Sequence, residues 1–187
     1  MNKIPKCVTE FDFTLLLEGL EEINEGIENA LFEAGCDDCT ISMRFGRVYL
    51  TFSRSAESFK DAVLSAICNV RDSKIEASVL RVDQCDLITQ SEIARRIDRS
   101  RQLVNLYING SRGPGGFPPP VCNIAEGAPL WYWCEVAYWL FENNIIKEDE
   151  HRDALELSVI NSVLELEWQR EIAPDLTKQI TQALCKC

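Results

Sequence analysis

The chain has 187 residues, 46% of them hydrophobic and 26% charged, and a formal net charge of −11. This composition is ordinary for a globular protein and excludes global disorder, because so much apolar side chain can bury a core. The apolar runs are far shorter than the ~20 residues that span a bilayer, so no membrane partner is expected. The N-terminal residues show no secretory signal, and we therefore expect a cytoplasmic protein.

The first half of the chain carries alternating and helical hydrophobic patterns. Phe11 to Leu17 alternates as a half-buried strand does, and Glu21 to Ala34 has helical spacing that Gly35 ends. Two further alternating runs flank Gly46, which predicts a hairpin. A second helix is expected after Ser55, and a last strand follows it. The order β-α-β-β-α-β is typical of an α+β, ferredoxin-like sandwich.

Three segments are expected. Residues 1–83 form an N-terminal α+β domain for dimerisation or for binding a partner or ligand, and residues 84–143 form a winged helix-turn-helix DNA-binding domain. Residues 144–187 form a helical C-terminal extension, in which Pro174 interrupts the pattern. Four apolar residues of this extension share one helical stripe, namely Leu157, Ile160, Leu164 and Trp168. The stripe either supplies a dimer contact or packs on its own domain.

Residues 89–121 are the basic island of an acidic chain. Five arginines stand against two acids, a local charge of +3, so the remainder carries −14. A cationic patch on an otherwise acidic chain suggests that a polyanion binds at this one site, because the rest of the chain repels it.

The island reads as two short helices joined by a tight turn. Thr89 and Glu92 have the spacing of a capping box, and Ser100 is a suitable cap for the second helix. Asp98 occupies the turn position usually held by glycine and tolerates the left-handed conformation. The residues expected to face inward are Ile93, Ala94, Ile97, Leu103, Val104 and Tyr107 or Ile108.

The outward polar side chains of the island are the type that reads DNA. Arginine donates to guanine and glutamine or asparagine pairs with adenine, so Arg101 and Gln102 are expected on bases. Phosphate contacts are expected mainly from Thr89, Gln90, Arg99 and Ser100, because hydroxyl groups, arginine and helix N-termini suit phosphate. The full set of candidate DNA-binding residues is Thr89, Gln90, Arg95, Arg96, Arg99, Ser100, Arg101, Gln102, Asn105 and Arg112.

Gly110 to Val121 is the candidate wing. Its glycines permit close backbone approach, its prolines stiffen the return path, and Arg112 can reach a minor groove or a phosphate. The alternative is a rigid surface loop or a proline-rich ligand. Leu130 to Leu140 follows as a strand that runs into a helix, and its aromatic residues are expected to form core rather than a base-stacking platform.

Nine cysteines are scattered along the chain. Their number is odd and no export signal accompanies them, so a disulfide framework is not expected. Cys36 and Cys39 have C-x-x-C spacing, but a zinc site needs four ligands and the chain offers one histidine, His151, and no second such pair. We expect reduced thiols, no metal and no cofactor.

The segments ITQSEIARRIDRSRQLVNLYINGSRGPGGFPPPV and PLWYWCEVAYWL resemble the winged helix-turn-helix of bacterial regulators related to the excisionase and mercury-regulator (MerR-type) folds. The chain from Phe11 to Leu140 is also similar to a group of bacterial helix-turn-helix proteins with an N-terminal α+β domain, a similarity that brings no activity for that domain. Asp98 departs from the usual glycine. The resemblance implies a DNA-binding regulator.

The expected function is sequence-specific binding of double-stranded DNA as a homodimeric transcriptional regulator. The alternative is a protein-interaction module, such as an antitoxin or an accessory factor of a mobile-element or defence system, with autoregulatory DNA binding. Its protein partner would bind the acidic N- or C-terminal regions. An enzyme is not expected, because no nucleophile–base constellation can be recognised.

Overall fold

The computed structural model describes residues 8–185 and shows a mixed α+β protein with six strands and seven helices in that part of the chain. Two compact units are present. The described parts of Met1–Asp83 and Val159–Cys187 form the first unit, and Gln84–Ser158 forms the second. The boundary after residue 83 was expected, whereas the expected extension 144–187 is divided between the two units.

The first unit contains a four-stranded antiparallel sheet. Its strands lie in the order β2-β3-β1-β4, so the first and third strands are central. The elements follow in the expected order and are β1 (Thr9–Glu18), α1 (Glu25–Glu33), β2 (Cys39–Arg44), β3 (Arg47–Ala56), α2 (Phe59–Asp72) and β4 (Ser78–Val82).

The two helices that connect strands of this sheet begin later than the sequence pattern suggested. The α1 helix starts after Asn24, whose side chain accepts a hydrogen bond from the Ile27 N–H at 3.1 Å. The cap of α2 is Ser58 rather than Ser55, because Ser55 belongs to β3 and pairs with Glu10 of β1. Cross-strand pairing thus extends the strand through residues whose local pattern also permits a helix start.

The core of the first unit lies between the sheet and its helices. Leu15 and Leu17 alternate with more exposed neighbours along β1, as the period-2 pattern predicts. The neighbouring strand β3 contributes Leu50 and Phe52, which are fully buried. Helix α2 buries one apolar face against them, formed by Phe59, Ala62, Val63, Ala66, Ile67 and Val70.

One charged side chain lies inside this unit. Arg54 is only 7% exposed, and its guanidinium donates two hydrogen bonds of 2.7 Å to the Asp38 carboxylate. It also donates to the Asn69 side-chain oxygen and the Gly35 carbonyl, both at 2.8 Å. A buried charge needs this degree of pairing to offset its desolvation. Arg54 therefore joins β3, α2 and the α1–β2 connection.

Helix α6 (Glu148–Ile172) is followed at Pro174 by α7 (Pro174–Leu184). Three members of the expected apolar stripe, Leu157, Ile160 and Leu164, are buried within the chain, so this stripe packs on its own protein and is not a dimer surface. The side chain of Asn161, also buried, accepts from the Val82 N–H at 2.8 Å and donates to the Val82 carbonyl at 3.3 Å. It thereby satisfies the backbone of β4.

The second unit is built on a small apolar core. Besides the first part of α6, its elements are β5 (Leu87–Ile88), α3 (Gln90–Arg96), α4 (Arg101–Ile108), β6 (Trp131–Tyr132) and α5 (Trp133–Glu142). Strands β5 and β6 are antiparallel. The segment that follows the first unit, residues 84–88, thus ends in a short strand. Trp131, Trp133 and Trp139 are buried in the core, as expected, whereas Tyr132 and Tyr138 of the same segment are exposed. None of the helices within residues 8–185 has the length and apolar character that crossing a membrane requires.

Candidate nucleic-acid interface

The turn between α3 and α4 forms as its residue types predict. The Thr89 hydroxyl accepts from the Glu92 N–H, and the Ser100 hydroxyl accepts from the Leu103 N–H, both at 3.2 Å. Asp98 has a φ of +50°, the left-handed conformation expected at the position usually held by glycine. These local interactions fix where α4 begins, and hence where its first turn is presented.

The two helices cross through small and branched apolar side chains. Ile93 and Val104 are completely buried, and Ala94 is 5% exposed. Tyr107 and Ile108 pack at the edge of the same core. Because this face of α4 is occupied, its polar residues are left on the opposite, solvent-exposed face.

Four of the candidate DNA-binding residues lie together on that exposed face. Gln90, Arg101, Gln102 and Asn105 line one open groove of about 470 Å³. The Gln90 amide donates to the Arg101 carbonyl at 2.9 Å and so ties the start of α3 to the start of α4. The arrangement holds one guanidinium and three amide groups at the first two turns of α4. Such groups can donate to and accept from base edges.

The groove also contains a residue that the sequence analysis passed over. Leu106 is 39% exposed and lines the groove beside Gln102 and Asn105. An apolar side chain in this position can contact a thymine methyl group. Its spacing of four residues from Gln102 is the signal that would have placed it on the same face.

The candidate phosphate-binding residues border this groove. Thr89, Arg99 and Ser100 are exposed, and the Arg99 guanidinium donates to the Asp98 carbonyl at 3.0 Å. Although the Thr89 and Ser100 hydroxyl oxygens accept the capping bonds, each hydroxyl keeps its proton to donate to a phosphate oxygen. These residues are therefore available for backbone contacts.

Glu92 does not complete the capping box as expected but pairs with two arginines of its own helix. Its carboxylate accepts from Arg95 at 2.8 and 2.6 Å and from Arg96 at 3.0 Å. Arg95 nevertheless keeps a side chain that is 73% exposed.

Arg96 is separated from the other candidates. Its side chain is only 11% exposed, it donates to the Cys85 carbonyl at 3.0 Å, and its guanidinium lies 4.9 Å from the Trp133 ring centre. Arg96 therefore anchors α3 and does not belong to the exposed cationic surface.

Glu92 predicts a pH-dependent contribution to stability. Hydrogen bonds from Arg95, and then from Arg96, lower the pKa of Glu92 from 4.5 to about 2. A carboxylate whose pKa falls on folding stabilises the folded state above its unfolded pKa, and this contribution is lost as the pH falls from 4.5 towards 2. Because the side chain is 29% exposed, screening reduces the effect, and we expect Glu92→Gln to cost about 1 kcal/mol at pH 7.

The measurement is urea unfolding of wild type and Glu92→Gln at pH 7 and again near pH 2.5. The difference between them should shrink at the lower pH, whereas Glu126→Gln, a neutralisation in an exposed turn of the same unit, should differ little from wild type at either pH. An equal difference at both pH values would show that the ionised carboxylate of Glu92 contributes nothing.

The Gly/Pro-rich segment Gly110–Val121 is held against the core of this unit. The Trp139 indole N–H donates to the Gly115 carbonyl at 2.9 Å, and the Trp131 indole N–H donates to the Pro118 carbonyl at 3.0 Å. No strand occurs in this stretch of the described chain, so the candidate wing is a loop. Its Arg112 is exposed, and the anchored loop presents it in a defined place.

The paired cysteines of the first unit are poor nucleophiles. Burial raises the pKa of Cys36, and burial, together with the neighbouring Cys36 and Asp38, raises the pKa of Cys39 to about 12. Both thiols are therefore protonated at neutral pH. Within residues 8–185 the structure contains no group of three or more His, Cys, Asp or Glu side chains placed to hold a metal ion.

The geometry of the exposed face is the basis for assigning a function. Arg101, Gln102 and Asn105 share a groove on a capped helix, with Arg99 and Ser100 at its end. Compared with protein-family models, with curated proteins and with solved structures, the chain matches none.

Proposed function

We propose that this protein binds double-stranded DNA sequence-specifically and acts as a transcriptional regulator. The observation that carries the proposal is the groove on α4, where Arg101, Gln102 and Asn105 lie side by side on an exposed face. Helix α4 would enter the major groove, and these side chains would contact base edges. The activity is binding, with no catalytic step.

Charge supports a nucleic acid as the ligand of this surface. Arg95, Arg99, Arg101 and Arg112 are exposed, while the chain as a whole carries −11. The acidic remainder of the chain would repel a polyanion, and the surface that carries these arginines would attract it. The anchored loop with Arg112 would contact the flanking backbone or the minor groove.

The fold is consistent with the family resemblance of the sequence. The strand order β2-β3-β1-β4, with two helices between strands, is the order that a ferredoxin-like domain requires. The α3–turn–α4 pair followed by an anchored loop fits a winged helix-turn-helix. We accordingly assign these two folds to the two units. We also propose a homodimer as the DNA-binding form, because such proteins bind two half-sites about one helical turn apart.

The test is selection of bound DNA from a random double-stranded pool with the full chain. We expect enrichment of one sequence, arranged as two related half-sites. A pool that is retained without any enriched sequence would reduce the activity to non-specific binding, and a pool that is not retained at low salt would overturn the proposal.

Binding of the selected DNA should weaken steeply with salt. Each neutralised phosphate contributes roughly −0.9 to the slope of log affinity against log salt, so the three arginines assigned to phosphates, Arg95, Arg99 and Arg112, predict a slope of about −3 per half-site. Titrations between 50 and 200 mM salt would measure it. A slope near zero would mean that the exposed arginines do not contact phosphates.

A further inference from the structure

The first unit exposes an apolar stripe on each of its C-terminal helices. The residues are Val159, Val163 and Leu166 on α6 and Leu176, Ile180 and Leu184 on α7, each between 42% and 70% exposed. We call them the α6–α7 face. They are distinct from the stripe of Ile160 and Leu164, which is buried inside the protein.

Helix α7 shows most clearly that this face lacks a partner. Leu176, Ile180 and Leu184 follow one another at intervals of four residues and therefore form one stripe. None of the residues of α7 is buried against the part of the chain that the structure describes. A helix of this length is marginal in water by itself and normally depends on the packing of its apolar face. Something is therefore expected to cover the stripe.

The start of α7 is well defined. Pro174 stands at the first helical position, where a missing N–H costs nothing. The Thr177 hydroxyl donates to the Ala173 carbonyl at 2.8 Å and lies 3.0 Å from the Gln169 carbonyl. These hydrogen bonds stabilise the connection between α6 and α7, so the α6–α7 face has a fixed conformation.

Charge indicates what covers the face. Two copies of a protein with a net charge of −11 repel each other across most of their surfaces. Pro174–Leu184 contains one acid, Asp175, and one base, Lys178, and so carries no net charge. Repulsion between copies is therefore weak across α7, while a basic partner would be drawn to the acidic surfaces instead. The face is thus suited to a second copy of the same chain.

The form of the face also suits a dimer. Leu176, Ile180 and Leu184 make one continuous apolar stripe on α7, and none of the residues of α7 is buried within the described chain. A two-fold axis through the face would bring the same residues of both copies together, which a self-complementary apolar stripe permits.

We propose that two copies of this chain associate through the α6–α7 face into a symmetric dimer. The inference deepens the proposed function and rests on it for the role of the dimer, which is to present two α4 helices to two half-sites. The association itself does not need DNA, because the apolar face is present in the free protein.

The test is the mass of the full chain in solution, measured by light scattering over a range of concentrations without DNA. Wild type is expected at twice the chain mass of 21.2 kDa. The double variant Leu176→Asp, Ile180→Asp is expected as a monomer, with dimer affinity reduced at least 100-fold. Val163→Asp, on the α6 part of the face, should weaken the dimer independently.

Leu64→Asp is the matched control, because Leu64 of α2 is 43% exposed and lies outside the face. It should leave the dimer intact. Helical circular dichroism and a cooperative thermal transition would show that each variant is folded. A monomeric wild type at 100 μM, or a folded double variant that stays dimeric, would overturn the inference.

DNA selection separates the two proposals. A dimer that fails to enrich any sequence would leave the α6–α7 interface standing and remove the proposed function. A monomer that enriches a sequence would overturn the α6–α7 interface and leave the proposed function standing.

Discussion

Replacing Arg54 with methionine is expected to lower the free energy of unfolding by about 2–3 kcal/mol, because it removes the charged partner of Asp38, a carboxylate that is 29% exposed and so keeps part of its hydration. Methionine keeps an unbranched side chain of similar length and fills the space. It cannot donate, so the Asp38 carboxylate loses two hydrogen bonds of 2.7 Å, and the Asn69 side-chain oxygen and the Gly35 carbonyl each lose one of 2.8 Å. Urea unfolding at pH 7 would measure the loss.

Arg47→Met is the matched control for Arg54. It makes the same substitution in the same strand, but the Arg47 side chain is 40% exposed and its ion pair with Glu18 spans 3.5 Å. An exposed pair contributes little, and we expect a change of about 0.5 kcal/mol or less. Arg54→Lys should fall between them, since one ammonium cannot reproduce the bidentate bond. Equal losses for Arg54→Met and Arg47→Met would show that the buried network does not stabilise the unit.

The parts of the structure that could be predicted from the sequence are those fixed by local physical chemistry. Alternation located the strands of the first unit, and cap chemistry located α3 and α4 through Thr89, Asp98 and Ser100. The exposed positions of Arg101, Gln102 and Asn105 followed from the helical period once the apolar face was known. Each of these features depends on residues within a few positions of one another.

The features that could not be predicted depend on residues far apart in the chain. Arg54 is buried because Asp38 and Asn69 meet it across three elements, and Asn161 is buried because it pairs with Val82. Arg96 has the same type of side chain as Arg95, yet its contacts with Cys85 and the Trp133 ring remove it from the exposed surface. A count of charges in sequence therefore overstates the cationic surface.

The same reasoning applies to the C-terminal helix. The apolar residues of α6 that lie on its strongest stripe became core, and the neighbouring residues Val159, Val163 and Leu166 remained exposed. Helical spacing identified both sets but could not decide which one faces the sheet. Which set becomes buried depends on contacts with residues distant in sequence, such as the pairing of Asn161 with Val82.

Replacing Arg101 with alanine is expected to have the largest effect on DNA binding. Arg101 is the first residue of α4 and lies in the groove with Gln102 and Asn105, so its guanidinium is the group best placed for a bidentate bond to guanine. Loss of such a contact costs ~1–3 kcal/mol, or about 5- to 150-fold in affinity, and relaxes the preference at one base pair. Since the side chain is exposed, stability should not change.

Arg112→Ala provides the contrast that separates base reading from phosphate contact. Arg112 lies on the anchored loop, outside the groove, and its removal should weaken binding to all sequences alike and reduce the salt slope by about 1. Repeating the DNA selection and the salt titration with both variants measures each effect, with the exposed Arg44→Ala of the first unit as the control. If both variants bind the selected DNA as tightly as wild type, α4 and its loop are not the DNA surface.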